Sequence, residues 1–186
     1  MYKISNWIVS VLAVFFIANT VLPANADQKN LQDFFGNYVG RNAQIVGEGI
    51  SDRDLNLVVR RYKNDGFTLI WTSVLHKKGG KVKRIRHLVN FQPVRDRPGI
   101  FLAELSKSRS GDRLSLDPIT GDPYIWAGVQ DKTLIVHTFY ITDQAGYEIH
   151  VYKRTLTKDG MNLRWERTRD GENLKLITAK LKKVPN

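Results

Sequence analysis

Short turn-forming segments recur along the chain, and they limit its fold more than any other feature. Most of them pair a glycine with a residue that also tolerates the positive φ angles of tight hairpin turns. They are Asn64-Asp65-Gly66, Lys78-Gly79-Gly80, Ala145-Gly146, Asp159-Gly160 and Asp170-Gly171. The glycines of the last three lie 14 and 11 residues apart. This spacing is typical of hairpins in an all-β sandwich or barrel.

The segments between these turns alternate between apolar and polar residues, as half-buried strands do. In residues 161–168, Met161, Leu163 and Trp165 share one face and polar side chains occupy the other. The same period predicts strands around 67–75 and 85–91, and apolar content predicts others at 38–46, 55–63, 100–105, 124–130, 133–142, 147–156 and 174–184. A short helix is predicted only at 28–35. Because closure removes exposed strand edges, we expect an all-β fold, a single antiparallel meander barrel of about 8–10 strands.

The N-terminus has the pattern of a secretory signal peptide. Lys3 precedes the apolar run 7–18, and Ala24-Asn25-Ala26 supplies small residues at the cleavage site. The sequence thus predicts a signal peptide at 1–26, cleavage after Ala26, and a β-barrel domain at 27–186 in the periplasm or outside the cell. An uncleaved membrane anchor is the alternative. The predicted leader contains one lysine and no acidic residue, so the net charge falls from +11 for the whole chain to +10 for the domain.

Composition and motifs exclude several kinds of chemistry. The chain has no cysteine, which rules out disulfides, thiolate metal sites and a catalytic thiol. It also lacks the G-x-S-x-G, H-E-x-x-H and phosphate-loop patterns. The four histidines do not have the spacing of a local metal site. We therefore name no catalytic residue, metal ligand or cofactor, and no enzyme class is indicated.

The segment Phe34–Gly40 resembles the Gly-x-Trp opening of lipocalins and related calycin barrels, with Tyr38 in place of the tryptophan. The resemblance implies a small barrel with an internal cavity, and an aromatic residue that plugs one end. It also implies that an arginine from a late strand packs across that aromatic ring. Arg154, Arg164 and Arg167 are all available for this role.

Aromatic residues and histidines on the predicted strands are candidates for lining a ligand pocket, because such pockets are mostly apolar with a few polar groups. The candidate ligand-binding residues are Trp71, His87, Trp126, His137 and Tyr140. His87 and His137 lie on apolar strand faces, where they would meet inside a barrel. The alternative for all five is an ordinary role as core side chains.

A basic run surrounds one predicted turn. Its cations are Lys77, Lys78, Lys81, Lys83, Arg84 and Arg86. Such a cluster attracts anionic surfaces, so an envelope lipid or glycan is a candidate partner, whereas nucleic acid does not suit an exported protein. The alternative is a solvated hairpin whose charges protect a sheet edge from aggregation.

Three functions remain open from the sequence, and the leading one is a non-catalytic exported barrel that binds a small apolar or amphipathic molecule. The second is a structural or adaptor protein of the envelope that acts through its basic surface. The third is an enzyme that uses a barrel cavity. The sequence does not set the ligand or the oligomeric state.

Overall fold

The computed structural model describes residues 31–41, 43–46, 49–50, 53–104 and 122–185, so the predicted signal peptide lies outside the described residues. The strands are β1 (Gly36–Gly40), β2 (Gln44–Ile45), β3 (Gly49–Ile50), β4 (Arg53–Arg61), β5 (Phe67–His76), β6 (Val82–Val94), β7 (Arg97–Glu104), β8 (Tyr124–Gln130), β9 (Thr133–Ile141), β10 (Tyr147–Thr157), β11 (Gly160–Arg169) and β12 (Glu172–Val184). Of the predicted helix at 28–35, residues 31 and 32 are helical in the described part and residues 28–30 lie outside it. Within the described ranges, no helix is long and apolar enough to cross a membrane.

Ten of these strands form a closed antiparallel barrel. β1 and β4–β12 pair in the order β1-β4-β5-β6-β7-β8-β9-β10-β11-β12, and β12 pairs back to β1 to close the cylinder. The prediction of an all-β antiparallel meander barrel is therefore confirmed. The short β2–β3 hairpin pairs with β12 at 177–178, beside the closure.

The predicted strand 38–46 is divided in the structure. β1 ends at Gly40 and β2 begins at Gln44, and the two strands meet different parts of β12. A Cβ atom on Gly40 would lie 2.8 Å from the carbonyl oxygen of Lys180. Only glycine therefore fits at position 40, where the backbone passes close to β12. The predicted strand is interrupted at this point, between β1 and β2.

The predicted turns adopt the expected backbone conformations. Asn64 and Asp65 have φ angles of 49° and 60°, and Asp170 and Gly171 have 48° and 86°. These left-handed conformations match the twist of a two-stranded hairpin. The pattern of turn residues thus places the hairpins correctly.

Aromatic side chains fill one end of the barrel. Phe34 and Phe67 are fully buried and Tyr38 is 1% exposed; the Tyr38 hydroxyl donates to the carbonyl oxygen of Phe34 at 2.9 Å. The cation over the Tyr38 ring is Lys183, at 5.6 Å from the ring centroid. A plugging aromatic residue is therefore present, but a lysine takes the position that the lipocalin resemblance assigned to an arginine.

Candidate ligand-binding cavity

Above this plugged end, four aromatic rings line the interior. In an antiparallel pair, directly opposite residues share a face; Trp71 of β5 lies opposite His87 of β6, and Tyr152 of β10 lies opposite Trp165 of β11. The Trp71 ring stacks on His87 at 4.9 Å and lies 6.1 Å from Tyr152, which stacks on Trp165 at 5.9 Å. Because β5 and β10 lie on opposite sides of the ten-stranded cylinder, the four rings reach across its interior.

These rings border an internal cavity of about 200 Å³. Leu57 and Leu181 belong to the buried core and also line the cavity, so they form its floor. Leu163 and Ile177 add apolar wall. Ile85 lines the cavity and is 41% exposed, so it marks the open side. The barrel is therefore filled at one end and hollow in its middle.

Arg154 extends into this cavity from β10. It is 3% exposed, and its guanidinium lies 5.4 Å from the centroid of the Tyr152 ring. Burial lowers the pKa of Arg154 to about 10, so the side chain still carries its charge at neutral pH. No aspartate or glutamate is among the described residues that line the cavity. A buried positive charge thus faces a space without a negative one.

Three buried side-chain nitrogens in the described part of the chain have no hydrogen-bond partner in the protein. They are Arg53 Nε, Arg154 Nη1 and Trp165 Nε1. All three belong to residues that line the cavity. Since buried polar groups in folded proteins are nearly always paired, three unpaired donors around one space indicate a site that accepts hydrogen-bond acceptors.

A second polar cluster lies on the same face of β10, centred on Glu148, which is 7% exposed. Arg167 donates to its two oxygens at 2.7 and 2.9 Å, Arg169 donates at 2.9 and 3.1 Å, and His150 Nε2 lies 2.5 Å from Oε1. Mainly because of the Arg167 hydrogen bond, the pKa of Glu148 falls to about 2. Six residues separate Glu148 from Arg154, or about 20 Å of extended strand. This carboxylate therefore does not neutralise Arg154.

The structure separates the five predicted ligand-binding residues into three places. Trp71 and His87 line the cavity. Tyr140 lies opposite Glu148, with its ring 5.3 Å from that of His150. Trp126 and His137 stack on each other at 4.8 Å, and they alternate with the buried Ala127 and Val136, so they face the outside of the barrel. The expectation that His87 and His137 meet inside the barrel is wrong.

Sequence reasoning did not identify Arg154 as a cavity residue. The available signal was its position two residues from Tyr152 and from Leu156, which places an arginine on an otherwise apolar face of a strand. The spacing of Arg154 from Tyr152 and Leu156 did not by itself indicate a function, because the sequence does not show that this face borders a cavity. In the lipocalin resemblance, Arg154 was a candidate only for packing across the aromatic residue that plugs one end of the barrel.

The basic run forms the hairpin between β5 and β6. The side chains of Lys77, Lys81, Lys83, Arg84 and Arg86 are exposed, and the side chain of Lys78 lies outside the described part. None of those five takes part in an ion pair with a described acidic residue. Because Ile85 and His87 of β6 line the cavity, this cationic hairpin borders the open side.

Comparison with known proteins does not assign the chain to a family. No family model matches the chain, and neither a curated protein nor a solved structure is significantly similar to it. The closed barrel of ten antiparallel strands is compatible with a lipocalin-like fold. The cavity and its lining residues are therefore the basis for a proposed function.

Proposed function

We propose that this protein is an exported, non-catalytic barrel that binds one small apolar or amphipathic molecule in its cavity. The observation that carries the proposal is a cavity of about 200 Å³ whose walls are aromatic and aliphatic, with few polar groups. This is the composition of small-molecule sites in general. A cavity of about 150 Å³ accepts benzene, so this one suits a ligand of roughly eight to ten non-hydrogen atoms.

Native mass spectrometry of protein purified from its own cell envelope tests this proposal. We expect a complex carrying one small-molecule adduct that is lost at higher collision energy. The Ser73→Trp variant should lack the adduct, because Ser73 lines the cavity and a large side chain there would fill it. Thr72→Trp is the matched control, since Thr72 lies on the opposite face of the same strand.

The Ser73→Trp and Thr72→Trp variants also show what would contradict binding in the cavity. An adduct retained by Ser73→Trp and lost from Thr72→Trp would place binding on the outer face. A purified protein without any adduct, which also binds no small amphiphile in titrations, would contradict the proposal.

Export predicts a defined mature N-terminus. We expect the protein in the periplasm or culture medium to begin at Asp27, because Ala24 and Ala26 provide the small residues that signal peptidase requires. N-terminal sequencing of the exported protein measures this directly. Protein that retains Met1 and stays in the inner membrane would support an uncleaved anchor instead.

The cationic hairpin supports a second candidate function, attachment to an anionic envelope lipid or glycan. In that case the triple variant Lys77→Glu, Lys81→Glu, Lys83→Glu should lose binding to anionic vesicles in a flotation assay. Wild-type binding should weaken as salt rises, because exposed charges are screened over about 8 Å at physiological ionic strength. Each basic residue near an anionic lipid surface adds about 1 kcal/mol.

A matched charge reversal separates a local site from net charge. Lys158, Lys180 and Lys182 are also exposed and lie on β12 or in the β10–β11 turn. If reversing these three weakens vesicle binding as much as the hairpin variant does, only net charge matters. If the wild-type protein does not bind at low salt, the hairpin is simply a solvated turn.

A further inference from the structure

We infer that the ligand is a small organic acid whose carboxylate pairs with Arg154 inside the barrel. This inference rests on the proposed function, because it specifies the chemical class of the cavity's occupant. It follows from three features: the burial of Arg154, the unpaired donors in the same cavity wall, and the involvement of the buried Glu148 carboxylate with other cations.

Burial without a counter-charge makes Arg154 a site for an anion. Its guanidinium is removed from water, Nη1 has no partner in the protein, and its described neighbours in the cavity wall include no acidic residue. A buried charge is unfavourable unless it is paired. A carboxylate in the cavity would supply both the opposite charge and the acceptor, through the charge-assisted hydrogen bonds that arginine forms well.

The neighbouring donors favour the same ligand class. Arg154 lies opposite Leu163 on β11, and Trp165 follows Leu163 on the same face. Such diagonal neighbours are about 7–8 Å apart, so Trp165, whose Nε1 has no partner in the protein, lies beside Arg154 in the cavity wall. Arg53 adds a third donor and a second positive charge to the wall. Two cations and an indole N–H favour an acid over a neutral or basic molecule.

None of the described carboxylates that line the cavity or share the strand face of Arg154 pairs with it. Glu148 shares its strand face, but two arginines and a histidine already occupy the Glu148 oxygens. Leu55, Trp71 and Leu163 add an apolar lining to the same cavity, which is open at Ile85. This arrangement fits a ligand with one acidic end and an apolar body.

Calorimetric titration of the full protein with three probes of similar length tests the inference. The probes are octanoate, 1-octanol and octylamine, which differ in the charge of one end. We expect octanoate to bind at least tenfold more tightly than 1-octanol, and octylamine to bind most weakly. A hydrogen bond to a charged group is typically worth one to two orders of magnitude in affinity.

Variants then assign the effect to Arg154. Arg154→Met should weaken octanoate binding by about 10- to 100-fold and leave 1-octanol binding unchanged or stronger. Arg60→Met is the control for net charge, because Arg60 is an exposed residue that alternates with the inward-facing Val59. It should leave binding of both probes unchanged.

The other outcomes distinguish a failure of the acid inference from a failure of the proposed function. Equal affinity for octanoate and 1-octanol, with both excluded by Ser73→Trp, would overturn the acid inference and keep the proposed function. Binding of no probe, in protein stripped of any co-purified molecule, would contradict both. Loss of both probes in a folded Arg154→Met protein would show that Arg154 only shapes the cavity. If Arg154→Met does not fold, the wild-type ratio of octanoate to 1-octanol affinity decides the inference.

Discussion

Replacing Arg154 by methionine is expected to raise the stability of the ligand-free protein. Methionine keeps most of the side-chain volume and removes a charge that is 3% exposed and has no acidic partner among the described residues that line the cavity. Replacing even a buried ion pair by apolar residues of similar volume is often neutral or stabilising by about 1–4 kcal/mol, and a buried charge without a partner is less favourable than a paired one. For a chain of this size, each kcal/mol raises Tm by roughly 2–4 °C.

Thermal unfolding followed by circular dichroism, with and without octanoate, measures this effect. At one octanoate concentration, the Tm of the wild-type protein should rise more than that of Arg154→Met, because the stabilisation by a ligand grows with its affinity for the folded state. Arg60→Met should change stability by less than about 0.5 kcal/mol, as surface substitutions usually do. A loss of more than about 1 kcal/mol in ligand-free Arg154→Met would mean that the folded protein already satisfies this charge.

Replacing Glu148 by glutamine is expected to have the opposite effect, a large loss of stability near neutral pH. The pKa of Glu148 falls from 4.5 to about 2 in the folded protein. A shift of this size corresponds to about 3 kcal/mol of stabilisation by the ionised carboxylate. Glutamine cannot supply the negative charge that Arg167 and Arg169 now share.

The pH dependence follows from the direction of that shift. A carboxyl with a lowered folded-state pKa stabilises the protein fully above its unfolded pKa, and the contribution is lost as pH falls through the folded value. The gap in unfolding free energy between wild type and Glu148→Gln should therefore be largest at pH 6–7 and close between about pH 4.5 and pH 2. Urea unfolding at several pH values measures it.

Glu166→Gln is the matched comparison for this experiment. Glu166 pairs with Arg164 and Lys153, whose side chains are 49% and 45% exposed. Exposed ion pairs contribute about 0–1 kcal/mol, so this variant should stay within that range at every pH. If both glutamate variants lose the same amount, the Glu148 cluster has no special role in stability.

The sequence predicted the barrel because its turns and one-sided strands are locally encoded. In β11, Met161 is buried and Asn162 and Arg164 are exposed, so alternation alone assigned the faces. β9 is different: Leu134 and Val136 face inward, but Ile135 and Phe139 on the outer face are also apolar. Hydrophobicity could not distinguish the two faces, and His137 was therefore assigned to the wrong one.

The cavity could not be predicted from the sequence for a different reason. Whether inward side chains fill a barrel depends on strand number, shear and tilt, which no local pattern encodes. Arg154 is a polar residue among apolar ones on β10, and only the assembled barrel shows that the described part of the cavity wall places no acidic residue beside it. The sequence could indicate that a single residue such as Trp71 lines a pocket. It could not indicate which residues of distant strands, such as Tyr152, contact it inside the barrel.

A crystal structure of the protein with 6-bromohexanoate would show directly where an acid binds, because bromine is located by its anomalous scattering and this probe has a size that the cavity suits. We expect a carboxylate oxygen about 2.7–2.9 Å from Arg154 Nη1, with the bromine in the apolar part of the cavity toward Ile85. Bromine bound only on the outer face, or at Arg154 with the carboxylate at the open side, would contradict this expectation.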